Sequence, residues 1–391
     1  MKAVKKKRLT PLGRILLGLV VVIILAGGIG SYILLSNHVE EGQETIPAET
    51  DDPKQEMTAN LIMVGDALIH SAIYQDAKQA DGSYDFKPML EYIKPIMQEY
   101  DLKYYNQETI LGGSELGLSN YPRFNSPYEV GDAFVDAGFN LVSLATNHTM
   151  DKGEQGVLNS LDYWSKHSNV YTAGSYRSFE DRDKKVIQEV NGIRYAFFSY
   201  TTWTNGLNTP SGKEYLNNVY SEELARADIE RVRDEVDIVI VAMHWGTEYS
   251  TGISPAQEQI ANYLASLGVD IIIGSHPHVV EPIDFIGKTM VIYSLGNFIS
   301  DQEGIERLTG LMVNVTIHKT IDDGVTTIAL ENPEAQLIYT HSVYGRKRNF
   351  KVYPYTSLNE VLLPNYRTYY EKYRQIVCSR SDKITMPDLG G

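Results

Sequence analysis

The sequence predicts an α/β fold. Three observations carry it: apolar runs of strand length alternate with amphipathic helical segments from about residue 59, the order closes in a cluster of strands, and the strand-like runs finish in polar residues. Asn60-Leu61-Ile62-Met63-Val64-Gly65-Asp66 is the first strand, and it ends in a Gly-Asp loop. Residues 89–100 read as a helix that Pro95 kinks or ends. Residues 102–108 are the second strand. Ser126-Pro127-Tyr128-Glu129 has the form of a capping box with proline at the first helical position; its helix runs to about Ala137, and Gly138 closes it. Residues 140–145 form a strand, 154–167 a helix and 194–200 a strand. Ala225, Ile229, Val232 and Val236 recur at the spacing of one helical face. Residues 238–243 are a buried strand. Ser254-Pro255-Ala256-Gln257 repeats the capping-box pattern ahead of the apolar stripe Ile260, Leu264 and Leu267. Residues 269–273, with three consecutive isoleucines, are another buried strand, and 289–295 and 308–317 are strands with short turns between them. After about Ala335 the chain reads as less regular and rich in tyrosine and basic residues. The expected folded domain spans residues 59–345, with a C-terminal extension over 346–391.

The start of the chain reads differently. Lys2, Lys5, Lys6, Lys7, Arg8 and Arg14 precede the first acid, Glu40, and residues 15–35 form an uncharged apolar run. About 20 such residues suffice to cross a bilayer as a helix. The basic segment 1–14 on its N-terminal side predicts a cytoplasmic N-terminus, a single-pass transmembrane helix at the cell membrane and an extracellular remainder. No convincing small-x-small cleavage site follows the run, which favours an uncleaved anchor over a signal peptide. Residues 36–58, rich in Glu, Asp, Gln, Pro and Thr, read as an extracellular linker. The net charge is −15 with the basic segment included, so the rest of the chain is more acidic still, which argues against nucleic acid as a partner. Cys378 is the only cysteine; an intramolecular disulfide is excluded, and thiol-based metal sites or a cysteine nucleophile are disfavoured.

The chemistry gathers where apolar runs stop. Asp66 follows the first strand and Glu108 the second; Asn147 and His148 follow the third, with Asp151 close behind; His244 ends a later one; His276-Pro277-His278 ends the isoleucine strand. Parallel strands bring such ends to one edge of a sheet. Two carboxylates, a carboxamide and several imidazoles there would suit a Mn, Fe or Zn type of divalent metal, as one or two ions. Plainer readings stand beside this one. The histidine pair can be a polar turn packed on aromatics, Asn147 a helix N-cap, and Asp66 a turn residue. Trp245 and Tyr249 read as wall residues.

Five ordered motifs resemble the CapA/PgsA family of capsule or poly-γ-glutamate synthesis proteins. They are Gly65-Asp66, Asn106-x-Glu108, Asn147-His148 with Asp151-x-Gly153, His244-Trp245-Gly246-x-Glu248-Tyr249, and Gly274-x-His276-Pro277-His278, with Tyr293-Ser294-Leu295-Gly296-Asn297-Phe298 following. The resemblance implies a calcineurin-like metallophosphoesterase sandwich of two mixed sheets flanked by helices. It implies one metal on Asp66, Glu108 and His278, and a second on Glu108, Asn147, His244 and His276. His148 would be a general acid oriented by Asp151. His70, Asn106, Trp245, Glu248 and Asn297 would lie near the site. Two departures stand out: Leu68 occupies the place of a histidine two residues after the first aspartate, with His70 two residues further on, and Glu108 replaces the usual bridging aspartate. The implied role is in making, exporting or attaching a capsule polymer, with the polymer or its membrane synthase components as partners. The rival readings are a metal-dependent hydrolase using metal-activated water, a non-catalytic polymer- or synthase-binding component, and a surface phosphoesterase unrelated to capsule.

Overall fold

Alternation along single strands builds the layers. In β1 (Gln55–Ala67), Leu61 and Met63 enter one apolar core while Ile62 and Val64 enter another on the opposite face. In β7 (Ile238–His244), Ile238, Ile240 and Ala242 face the first core, and Val239, Val241 and Met243 a third. A strand side chain changes face at every residue, so runs that are apolar at every position belong to sheets covered on both sides. The computed structural model describes residues 54–343 and 347–389. These form two mixed sheets face to face, with helices on both outer faces.

The first sheet has the order β14 (Lys351–Pro354), β13 (Val325–His341), β12 (Thr309–Asp322), β1, β2 (Leu102–Asn106), β3 (Leu141–Ser143), β4 (Tyr171–Ala173), with β11 (Asn297–Ile299) beside the end of β1. Strands β1 to β4 are parallel, and β12 to β14 antiparallel. The second sheet has the order β5 (Gln188–Val190), β6 (Ile193–Thr201), β7, β8 (Ile271–Ser275), β10 (Thr289–Ile292), β9 (Ile283–Ile286), with β6, β7, β8 and β10 parallel. Helices α1 (Ser71–Ala77), α2 (Glu129–Ala137) and α3 (Gly153–Trp164) pack Ile73, Phe134 and Val157 on the first sheet. Helices α4 (Glu222–Glu230) and α5 (Pro255–Ser266) pack Ile229 and Leu264 on the second.

Several sequence expectations need correction. Residues 89–100 are not one helix: Pro88 and Pro95 each sit in the first turn of a separate short piece, Lys87–Leu90 and Lys94–Met97. Ser126 does not cap α2. Its hydroxyl lies 2.8 Å from Thr109 Oγ1 instead, and the helix opens at Tyr128 without a side-chain cap. The helical face expected through Val236 ends as α4 at Glu230, and a 3-10 turn, Arg233–Glu235, completes the path. The capping box at Ser254 does form, with Gln257 N–H donating to Ser254 Oγ at 3.3 Å and Ser254 N–H to Gln257 Oε1 at 2.8 Å. Beyond residue 335 the chain is more regular than its composition suggests. β13 continues to His341, and α6 (Tyr366–Val377) buries Tyr366, Tyr370, Tyr373 and Val377 in the core between the sheets. The transmembrane helix expected over residues 15–35 lies outside the described residues; among those described, no helix is long and apolar enough to cross a membrane.

Two glycines let the strand ends close up. A Cβ on Gly65 would sit 1.8 Å from the carbonyl oxygen of Gly296, and one on Gly274 would sit 1.9 Å from that of Tyr293. The same approach lets Asp66 N–H donate to Gly296 O at 3.0 Å and Leu295 N–H to Gly274 O at 3.1 Å. Behind these ends lies fully buried Glu281, whose Oε2 accepts from Gln257 Nε2 at 2.7 Å while Oε1 has no partner. Burial pushes this carboxyl up to about 8 from its ordinary 4.5.

Gly274→Ala is expected to destabilise the fold by about 1–3 kcal/mol or more, because backbone rather than a flexible side chain must yield; urea denaturation measures it. Glu281 makes a prediction in pH. A folded value above the unfolded one means the neutral acid's stabilisation is complete below pH 4.5 and is lost as pH rises through 8. Glu281→Gln should therefore melt above the wild type in alkaline buffer and level with it at low pH, as read by calorimetry across that window.

Candidate metal centre

The parallel strands of both sheets end at one edge, and the polar residues predicted there converge. Asp66 and Asn106 are register partners at the ends of β1 and β2. Asn106 Nδ2–H donates to Asp66 Oδ1 at 2.8 Å, and Asp66 Oδ2 accepts from His276 N–H at 3.3 Å. Glu108, two residues past β2, is fully buried, and neither carboxylate oxygen has a hydrogen-bond partner. Its Oε1 lies 3.6 Å from His278 Nε2 and 3.8 Å from His244 Nε2. Asn147 brings Oδ1 to 2.9 Å from His244 Nε2.

His276 and His278 follow β8 with φ of 97° and 59° around Pro277. Residues with side chains seldom occupy this region, and such conformations gather where geometry serves a site. Two left-handed residues in three turn both imidazoles to the same crevice, with ring centroids 5.8 Å apart, and put His276 4.7 Å from His244. His276 Nδ1 is buried without a partner.

The imidazoles differ in charge. Burial, with the neighbouring histidines adding to it, holds His244 well below its ordinary value, and His276 falls to about 3 for the same reasons. Both are neutral, the form that ligates a metal. Burial works to lower His278 too, but the Glu108 and Asp66 carboxylates outweigh it and hold it up at about 9. Burial also pushes Glu108 well above its ordinary value, against the pull of His278. Each shift depends on the other group's charge, so one proton shared across the 3.6 Å gap satisfies the pair.

Supporting residues fix the ring nitrogens. His278 Nδ1 lies 3.1 Å from Asn297 Oδ1, and Asn297 is itself held by Nδ2–H donation to Arg307 O at 2.8 Å and Gln302 Oε1 at 2.9 Å. With Nδ1–H donated there, Nε2 faces Glu108. Ser275 Oγ lies 3.0 Å and Asn106 Nδ2 3.3 Å from His244 Nδ1; the amide can only donate, so Nδ1 accepts and Nε2 carries the proton it gives to Asn147 Oδ1 at 2.9 Å, a proton that a bound cation would displace. His148 Nδ1–H donates to Asp151 Oδ2 at 2.7 Å, and the same oxygen accepts from Phe124 N–H at 2.6 Å. His148 lines a cavity of about 370 Å³ with Tyr121, Arg123, Trp203, Asn205 and Glu248.

The predicted residues are thus sorted by distance. Asp66, Glu108 and His278 offer ligand atoms within 4.8 Å of one another, as do Glu108, His244 and His276. Orphaned buried oxygens on Glu108, a bare Nδ1 on His276 and neutral imidazoles fit a divalent metal of the borderline type. His70 is not among these groups. It lies edge-on 5.3 Å from the Phe124 ring, which also meets His148 at 4.8 Å, and its Nδ1 is 3.1 Å from Leu68 O. Leu68 is buried and cannot ligate. Trp245 is a wall residue, donating Nε1–H to Tyr293 O at 2.9 Å. Sequence reasoning missed Ser275, Phe124, Trp203 and Asn205. Ser275 is the last residue of β8 and the Trp203–Asn205 loop follows β6, and that position at strand ends was the available signal.

Fold and site together define a class: a two-sheet α/β sandwich carrying a buried carboxylate–histidine cluster of metal-binding type at its converging strand ends. Within it, the family model for “Bacterial capsule synthesis protein PGA_cap” matches residues 60–302, more than half of the chain, and the chain belongs to that family. The “PGA biosynthesis protein CapA” of Bacillus subtilis (strain 168) is 37% identical over 175 residues, covering 43% of this chain and 44% of that protein. The “Capsule biosynthesis protein CapA” of Bacillus anthracis is 28% identical over 253 residues, covering 62% of this chain and 60% of that protein. The chain thus spans about half the length of the curated relatives it matches. Solved structures similar to it include a 5'-nucleotidase from Candida albicans SC5314, 15% identical, with a TM-score of 0.39 over 67% of this chain and 51% of that one.

If the cluster binds a cation, the folded state alone gains that binding energy. Mn²⁺ at about 100 times its Kd should stabilise the protein by roughly 2.7 kcal/mol. Glu108→Gln should remove most of the rise in Tm, and an absent rise in the wild type would reject the cluster as a cation site.

Proposed function

We propose that this chain is a membrane-anchored, extracellular protein that takes part in synthesis, export or attachment of an anionic capsule polymer such as poly-γ-glutamate, and that its crevice hydrolyses a phosphoester or amide bond with a divalent metal. One observation carries the chemical half: fully buried Glu108 has no hydrogen-bond partner on either oxygen and stands amid His244, His276, His278 and Asp66. Family membership, and the capsule and PGA biosynthesis named for the two Bacillus relatives, support the biological half. The uncharged run 15–35 behind a basic segment supports the anchor.

Asp66, Glu108 and His278 would hold one ion, and Glu108, Asn147, His244 and His276 the other. A divalent cation there supplies Lewis-acid polarisation and a lowered pKa for water. The chain's own residues do the rest. Asp151, held by Phe124 N–H, accepts the His148 Nδ1–H, and a second proton on Nε2, in the imidazolium form, is the one His148 would give to a leaving group in the cavity it lines. Arg123 brings a cation to the mouth, and Trp203 and Tyr121 are exposed on the rim, a surface suited to an extended anionic chain.

Leu68, with no ligating atom where the phosphoesterase pattern has histidine, favours a second reading in which the crevice binds polymer or a synthase component without cleaving it. The test is to assay the full-length protein on poly-γ-glutamate and on a generic phosphodiester with added Mn²⁺. Loss of a general acid typically costs about 10²–10⁴-fold. His148→Ala should therefore reduce turnover by that order with metal content unchanged, and His244→Ala should abolish both. Capsule formation that survives His244→Ala and His278→Ala, yet fails when residues 15–35 are replaced, would establish the binding reading.

A further inference from the structure

The loop after β7 runs alongside the loop after β8. Trp245 N–H donates to Ser275 O at 3.0 Å, and Tyr249 N–H donates to Pro277 O at 2.8 Å. Gly246, with φ of 87°, lets the Gln257 amide pack where a Cβ would stand, 2.8 Å away. Tied at both ends, the loop projects Glu248 over the histidine pair. Its carboxylate lies in a group with His276 and His278 whose ligand atoms are all within 4.8 Å of one another. His276 and His278 are 6% and 3% exposed, whereas Glu248 is exposed at the mouth. His276 Nδ1 is a buried nitrogen without a partner, so one of the two rings beneath Glu248 still lacks a bond at one of its nitrogens.

We infer that Glu248 is a metal ligand, forming with His276 and His278 an outer cation position at the mouth of the crevice. The inference rests on reading the crevice as a cation site. The inner group Asp66–Glu108–His278 lacks the imidazole that Leu68 cannot supply. Its one histidine is shared with the outer group. His278 Nδ1 lies 3.1 Å from Asn297 Oδ1 and 3.4 Å from Asp66 Oδ2, while Nε2 lies 3.6 Å from Glu108 Oε1, so both nitrogens face inner groups. An ion at the outer position would draw His278 from the Asp66–Glu108 group and His276 from the Glu108–His244 group, so the inner and outer arrangements are alternatives. In the outer one, a carboxylate and two imidazoles supply the three protein ligands usual for a catalytic site that keeps a position open. An ion drawn to Glu248 lies beside the cavity that His148 and Arg123 line.

The full-length protein would be titrated with Mn²⁺ and Zn²⁺ by calorimetry, with bound metal counted after gel filtration, for wild type, Glu248→Gln, Glu248→Asp and His278→Ala. Glu248→Gln should weaken one class of site by about tenfold or more, and Glu248→Asp should recover part of the loss. The carboxylate is exposed, so melting curves of the metal-free variants should match the wild type. Unchanged affinity in Glu248→Gln, with loss in His278→Ala, overturns the ligand role and leaves the metal centre standing. Reduced turnover in Glu248→Gln at unchanged metal affinity also overturns it, because Glu248 would then act on substrate. A wild type that binds no metal overturns both the inference and the reading beneath it.

Discussion

A carboxylate taken fully out of water must be answered by positive charge or by hydrogen-bond donors, and Glu108 has no donors. Leaving such a charge uncompensated costs several kcal/mol, a large share of an ordinary domain's stability. The surroundings are arranged accordingly. The carboxylates around it hold one proton on the Glu108–His278 pair, while burial, with the neighbouring histidines, keeps His244 and His276 neutral. A proton on the Glu108–His278 pair and a metal ion are two answers to the same electrostatic demand, and they compete for the same atoms.

Meeting that demand requires residues distant in sequence to close within hydrogen-bond range, and the two sheets supply the means. Each contributes parallel strands that end at one edge, but strand ends alone leave gaps. Gly65 and Gly274 remove the side chains that would hold neighbouring backbone away. The left-handed residues on either side of Pro277 then turn two imidazoles toward Glu108. Asn297, Ser275 and Asp151 each hold one ring nitrogen, so the orientation of the histidines is set by residues that need not touch a ligand themselves.

Much of this was legible in the sequence, for reasons that differ by element. Apolar runs at every position gave β1, β7 and β8, since a sheet covered on both faces leaves no other pattern. The polar residues after them gave the cluster, since parallel strands share an exit edge. Ser254 capped its helix as expected, whereas Ser126 did not, because Thr109 offered a competing partner that only the folded chain brings near. The helix carrying Tyr366, Tyr370 and Tyr373 was missed although its 4-3-4 spacing continues to Val377. Tyrosine reads as half-polar, and its spacing was outweighed by its composition. Glu248 was placed near the site by its motif, but its position above the histidine pair depends on a backbone bond between two loops, and no periodicity encodes that.

The way β1 crosses the molecule has a mechanical side. It enters at Gln55, paired with Ile321, and reaches the crevice at Asp66, roughly 36 Å away at about 3.3 Å per residue. Tension applied through the chain's start therefore arrives at the edge remote from the crevice. It loads β1 along its own axis, between β12 on one side and β2 on the other. Hydrogen bonds from Gln55↔Ile321 to Val64↔Met312 would have to break together in shear rather than one after another.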